Sequence, residues 1–163
     1  KENLVGAENA GFYQLMRFFN ESRVGVAAIQ LGMAIGAYER ALEYAKQRTA
    51  FGKPLIKHQA IQFKLADMWK DIEAARLLTY KAAWLIDQGK PNPALSSAAK
   101  LFASEVAVKV TYETVQIFGG YGYSKEYDVE RYYRDARVGT IYEGTSEIQR
   151  LIIGRVLAGE IRF

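Results

Sequence analysis

Side chains that can be buried recur along this chain at steps of three and four, a spacing that suits helices and not strands. The sharpest run is Ile61, Leu65, Met68, Ile72, Ala75, Thr79, Ala82 and Ile86, which share one helical face. Gly89, with Pro91 and Pro93 beyond it, supplies the stop signals. An earlier stripe of Val24, Ala28, Leu31, Ile35, Tyr38, Leu42 and Ala45 predicts a long helix holding Gly25, Gly32 and Gly36, where a neighbour can come close. A third runs from about Leu95 through Ala99, Phe102, Val106, Val110, Thr114 and Ile117, and halts at Gly119-Gly120-Tyr121-Gly122. A short helix is expected near Val129 to Arg134. A last helix begins near Thr145, where Ser146 and Gln149 have capping-box spacing, and carries Ile148, Leu151, Ile152 and Val156 on one side. Strand-like alternation is nearly absent. The expected fold is all-α: an antiparallel up-down bundle of four long helices with a short extra helix.

A chain of 163 residues, half of them hydrophobic, fits one domain with a buried core. It has no cysteine, which removes disulfides, thiolate metal sites and cysteine nucleophiles and suits a reducing interior. The net charge of +4 raises the question of nucleic acid. Yet Lys and Arg are dispersed among Asp and Glu with no run of three basic residues, so solvated helix faces are expected and nucleic acid is not. No apolar stretch reaches the roughly 18 residues of a membrane span, and a soluble protein is expected. Lys1 stands where an initiator Met would, with no signal peptide after it, so the start reads as a cut inside a longer protein.

His58 is the only histidine, which excludes a histidine-rich metal cluster, and no metal site is expected. Three loops carry the interesting chemistry. In Gln47-Arg48-Thr49-Ala50-Phe51-Gly52-Lys53 a guanidinium, a ring and a glycine suit a diphosphate and a flat ring. The same residues also read as a helix end, with Arg48 complementing the dipole and Gly52 capping. Gln116-Ile117-Phe118-Gly119-Gly120 offers unshielded backbone amides for a phosphate-bearing ligand, or simply a tight turn; it is no GxGxxG after a strand, so a Rossmann site is rejected. Tyr142-Glu143-Gly144-Thr145 sets a carboxylate just ahead of a helix, either to reach a substrate or to favour the helix N-terminus.

Taken in order, these segments resemble the acyl-CoA dehydrogenases, whose C-terminal domain carries Arg48-Thr49-Ala50-Phe51-Gly52-Lys53-Pro54 with His58-Gln59-Ala60-Ile61, then Gln116 to Gly122, then Tyr142 to Arg150. The resemblance covers nearly the whole chain. It implies that residues 1–10 end a preceding middle domain and that 11–163 form the C-terminal helical domain. It further implies an FAD enzyme in which Glu143 removes the α-proton of an acyl-CoA thioester while the β-hydrogen leaves as hydride to the flavin, giving a trans-2-enoyl-CoA. A base for so weak an acid needs close alignment and a pocket poor in water. By the same resemblance, Arg48, Phe51, Gln59, Gln116, Gly119 and Gly120 contact FAD from a neighbouring subunit, and Thr145, Ser146 and Glu147 touch it beside Glu143. Gly144 lies against the thioester, and Asn20 and Arg23 lie near the substrate. A few members take their base from a Glu at the position of Ser22. An electron-transferring flavoprotein as acceptor, a homotetramer built as a dimer of dimers, and a cytoplasmic or mitochondrial-matrix location are the remaining expectations. A flavin oxidase or monooxygenase of the same superfamily, or a non-catalytic oligomerisation module, are the competing readings. Acyl chain length is not legible.

Overall fold

A computed structural model of the chain describes residues 2–161. Three long helices, α1 (Gly11–Gln47), α2 (Gln59–Asp87) and α3 (Pro93–Phe118), are followed by the one-turn α4 (Gly120–Tyr123), α5 (Val129–Val138) and α6 (Ser146–Leu157). The all-α expectation holds; α6, the fourth bundle helix, has 12 residues, and α5 runs four residues past the expected Arg134.

Local chemistry sets the helix ends. Gly89 adopts a left-handed φ of 67°, and Gly89 and Lys90 donate back to the carbonyls of Ile86 and Leu85, closing α2. Pro93 belongs to the next helix and not to the stop of this one: it occupies the first turn of α3, where Asn92 Oδ1 accepts from the Leu95 amide at 3.0 Å. Past α1 the chain forms a two-residue hairpin, β1 (Thr49–Ala50) against β2 (Lys53–Pro54). Its turn residues Phe51 and Gly52 both have positive φ, at 50° and 76°, so Gly52 turns a hairpin and does not cap α1.

Cross-helix contacts fix the direction of each helix. Lys64 pairs with Glu113 and Asp71 with Lys109, so α2 and α3 are antiparallel. Between α1 and α3 the register runs the other way: Thr114 Oγ1 donates to the Ala37 carbonyl, and Tyr44 stacks on Phe118 with ring centres 4.0 Å apart. These two helices are therefore parallel neighbours. α5 packs against both α1 and α3: Tyr133 meets Tyr112, while Arg40 meets Asp128, Gly36 meets Tyr132 and Gln30 meets Gly139, which returns α5 towards the start of α1. α6 then turns back beside α3, with Arg150 on Glu105.

The α1–α3 seam is built of small side chains. Ala27, Ala34, Ala37, Ala41 and Ala45 are fully buried against Ala99, Ala103, Ala107, Val110 and Thr114. Short side chains let the backbones approach, which is why a Thr hydroxyl reaches across to a carbonyl. Burial on α1 is accordingly rotated from the expected stripe: Ala28 is exposed, while Ile35, Tyr38 and Leu42 flank the alanines half-buried. Of the four α1 glycines, Gly11, Gly25, Gly32 and Gly36, only Gly36 has a close neighbour, since a Cβ there would sit 3.0 Å from the Tyr132 hydroxyl. The α2 stripe is buried as expected from Leu65 to Ala82. Met68 is 1% exposed, and Met68→Ala is expected to cost about 2–5 kcal/mol, read as a lowered Tm in thermal unfolding followed by circular dichroism. On α6 the expected apolar stripe does not face the core. Ile148 and Leu151 are exposed, and the buried residues are Ser146 and Gln149.

Candidate active site

The turn between α5 and α6 carries Glu143 in a conformation that L-residues avoid. Glu143 has a φ of 56° and Gly144 one of 93°, and the left-handed conformation at a non-glycine residue stores of the order of 1–2 kcal/mol. Several contacts hold the turn. The Ser146 amide donates to the Thr140 carbonyl at 3.1 Å. Gln149, fully buried, donates through Nε2 to the carbonyls of Glu143 at 3.1 Å and Gly144 at 2.9 Å. Thr145, not Ser146, is the N-cap of α6, with its side chain accepting from the Ile148 amide. That one-residue shift frees Gln149 from the expected capping box to tether the turn instead. A Cβ on Gly144 would lie 2.7 Å from Gln149 Nε2, so glycine is required there by space as well as by φ.

The parallel register of α1 and α3 brings charged groups beneath this turn. Ser22 Oγ donates to Glu143 Oε2 at 2.7 Å. Arg23, 6% exposed, donates to Asn20 Oδ1 at 3.0 Å. Burial lowers the Arg23 pKa from its usual value, and the nearby Glu143 carboxylate opposes that shift. Lys100 is fully buried, and its Nζ donates to the Gly144 carbonyl at 2.7 Å. Burial and then the Arg23 charge pull its pKa down to about 8, against Glu143 and Glu147. Asn20, Arg23, Glu143, Gly144, Thr145, Ser146 and Glu147 thus gather at one end of α1. Beside them Arg17, Asn20, Leu85, Lys90 and Asn92 line a cavity of about 750 Å³.

Arg48 lies at the other end of α1. It lines a cavity of about 550 Å³ together with Tyr44, Phe118, Gly119, Gly120 and Tyr121, and its guanidinium sits 5.6 Å from the Tyr121 ring centre. A Cβ at Gly119 or Gly120 would meet nothing within 4 Å, so the backbone is open to a ligand there. Phe51, Gln59 and Gln116 are exposed and lie outside the lining. The 26 residues from Ser22 to Arg48 at about 1.5 Å each separate the two clusters by about 39 Å along α1.

Lys100 and the tethering role of Gln149 are the site features that sequence patterning missed. The available signal is a second periodicity on α3: Ser97, Lys100, Ser104, Ala107, Thr111 and Thr114 recur at steps of three and four, and all are buried. A lysine inside a stripe of small residues is out of place on a solvated face.

The family model for the acyl-CoA dehydrogenase C-terminal domain matches residues 9–158. The chain belongs to this family. The short-chain specific acyl-CoA dehydrogenase of Megasphaera elsdenii is 54% identical over 156 residues, covering 96% of this chain and 41% of that protein. The mitochondrial short-chain specific acyl-CoA dehydrogenase of Mus musculus is 52% identical over 153 residues, covering 94% of this chain and 37% of that protein. The solved butyryl-CoA dehydrogenase of Megasphaera elsdenii superposes with a TM-score of 0.95 at 54% identity, covering 96% of this chain and 41% of that one. The chain therefore spans about two fifths of the length of these acyl-CoA dehydrogenases. Among the described residues no helix is long and apolar enough to cross a membrane.

Proposed function

We propose that this domain serves an FAD-dependent α,β-dehydrogenation of acyl-CoA thioesters, with Glu143 as the base that takes the α-proton. The observation that carries the reading is the Glu143 carboxylate itself. It stands on a strained turn, is aimed by the Ser22 hydroxyl, and lies within the field of buried Arg23 and Lys100. Strain at a carboxylate with several anchors is what a positioned base requires, and an oligomerisation module has no need of it.

Proton removal leaves negative charge on the thioester oxygen. The backbone amides of Glu143 and Gly144 donate to nothing among the described residues, so the turn offers donors for that charge. The cavity beside Asn20, bearing Arg17 and Lys90, suits the phosphates of the CoA portion, and Arg23 keeps Asn20 in place. When bound, FAD supplies the acceptor for the β-hydride. With FAD bound, the proton would pass to Glu143 and the hydride to the flavin, and a 2-enoyl-CoA would remain.

The second cluster suits the FAD diphosphate: Arg48 offers a forked donor, and Gly119 and Gly120 leave the backbone bare. Phe51, Gln59 and Gln116, exposed and outside that lining, are assigned to the adenosine portion. Thr145, Ser146 and Glu147 belong to the first cluster, about 39 Å away along α1, the rise being about 1.5 Å per residue. That separation favours two copies of the chain contributing to each cofactor, one from either end. Exposed apolar side chains supply surface for such assembly: Trp69, Leu77, Tyr80 and Trp84 on α2, and Ile148 and Leu151 on α6. A dimer of dimers, an electron-transferring flavoprotein as acceptor, and a cytoplasmic or mitochondrial-matrix location complete the proposal.

Mass spectrometry of the thioester after turnover by the full-length flavoprotein tests the reaction. A product lighter by two hydrogens supports it, and an oxygenated product points to a monooxygenase. Ser22→Ala is expected to lower kcat about 3- to 10-fold with KM little changed, the range for losing one ordinary hydrogen bond, since the turn itself keeps its other anchors. Steady-state kinetics on the same protein checks it.

A further inference from the structure

We propose that Lys100 positions the catalytic turn: from a fully buried site on α3 its ammonium holds the Gly144 carbonyl and so fixes the Glu143 carboxylate in its working direction. This rests on the reading of Glu143 as base.

A lysine with no exposed surface is uncommon, because its charge must leave water. Here the side chain is fully buried on a helix face otherwise made of small residues such as Ser97, Ser104 and Ala107, where an apolar residue of equal length would fill the same space. The one acceptor within reach among the described residues is the Gly144 carbonyl. A buried cation ending on the turn of the base is a poor device for stability. Gln149 already tethers both carbonyls of the turn, so Lys100 adds something a neutral amide does not, a charge-assisted bond and a positive charge facing Glu143.

The charged groups around it come from three elements: Arg23 on α1, Glu143 on the turn, and Glu147 at the start of α6. With Lys100 protonated, two cations face two carboxylates. Its pKa of about 8 lies below that of a free lysine, so the folded state disfavours the charged form. The sign follows: below pH 8 the buried charge opposes folding, and the penalty is relieved as pH rises from there towards the free-lysine value. Removing the charge therefore spares the fold while loosening the turn.

Lys100→Met in the full-length flavoprotein separates the two roles. At pH 7 its Tm is expected to equal or exceed that of wild type, with FAD content and KM for the acyl-CoA within about twofold. The rate of flavin reduction is expected to fall about 10- to 100-fold, the range for losing a hydrogen bond to a charged group. Unchanged reduction in a folded variant overturns the proposal, as does a loss of FAD that accounts for the whole defect. The wild-type profile is an independent check that requires no variant. Flavin reduction should decline as pH rises through about 8, and a rate that stays flat across that range also overturns the proposal. Failure of the Glu143 reading looks different, for then no acyl-CoA reduces the wild-type flavin at all.

Discussion

Glu143→Gln in the full-length flavoprotein is expected to slow flavin reduction by an acyl-CoA by about 10²- to 10⁴-fold, the range a positioned general base supplies. The substitution is nearly isosteric. The amide oxygen of glutamine still accepts from Ser22, and neither Gln149 nor Lys100 depends on the carboxylate, since both hold backbone carbonyls. The turn should survive, and FAD content and acyl-CoA affinity should stay near wild type. Anaerobic stopped-flow mixing with an acyl-CoA reads the difference as the rate of flavin bleaching. A variant that bleaches at the wild-type rate removes Glu143 from the chemistry.

The second large effect is expected at the opposite end of α1. Arg48→Ala should weaken FAD binding about 10- to 100-fold, the cost of losing a charge-assisted contact to a diphosphate. The purified protein should lose much of its flavin, which absorbance against total protein measures directly. Arg48→Lys should restore only part of the affinity, because an ammonium cannot match the planar fork. Once excess FAD is supplied, the rate of flavin reduction should return towards wild type, since Arg48 is remote from Glu143. A loss of rate that FAD does not repair contradicts the division of labour between the two clusters.

How much of this was legible depended on side-chain size and on distance in sequence. The α2 stripe could be read because Leu65, Met68 and Ile72 are large and all point inward. On α1 the large residues misled, since the seam with α3 selects alanines for close approach and leaves Ile35, Tyr38 and Leu42 at its margins. The fold class therefore followed from periodicity, while the facing surfaces did not. Gly52 looked like a helix cap because a helix does end nearby; the hairpin appears only once Leu55 is seen donating back to the Arg48 carbonyl.

The candidate site divides in the same way. Glu143, Gly144, Arg48 and the Gly119-Gly120 pair sit in short contiguous segments, where neighbouring residues betray an unusual loop. Lys100 is 43 residues from Glu143, and the stripe of small residues around it signals burial but not what its ammonium reaches. Its position follows from the parallel register of α1 and α3, which no single helix encodes. Gln149 was visible but assigned the wrong partner, because a shift of one residue in the cap changes what its amide can reach.

Anaerobic titration of the full-length flavoprotein with a panel of acyl-CoAs of differing length and branching, followed by flavin absorbance, tests the central claim most directly. Stoichiometric bleaching by at least one thioester, with recovery of the matching 2-enoyl-CoA, is the predicted result and ranks the substrates. A flavin that stays oxidised with every acyl-CoA would contradict the account.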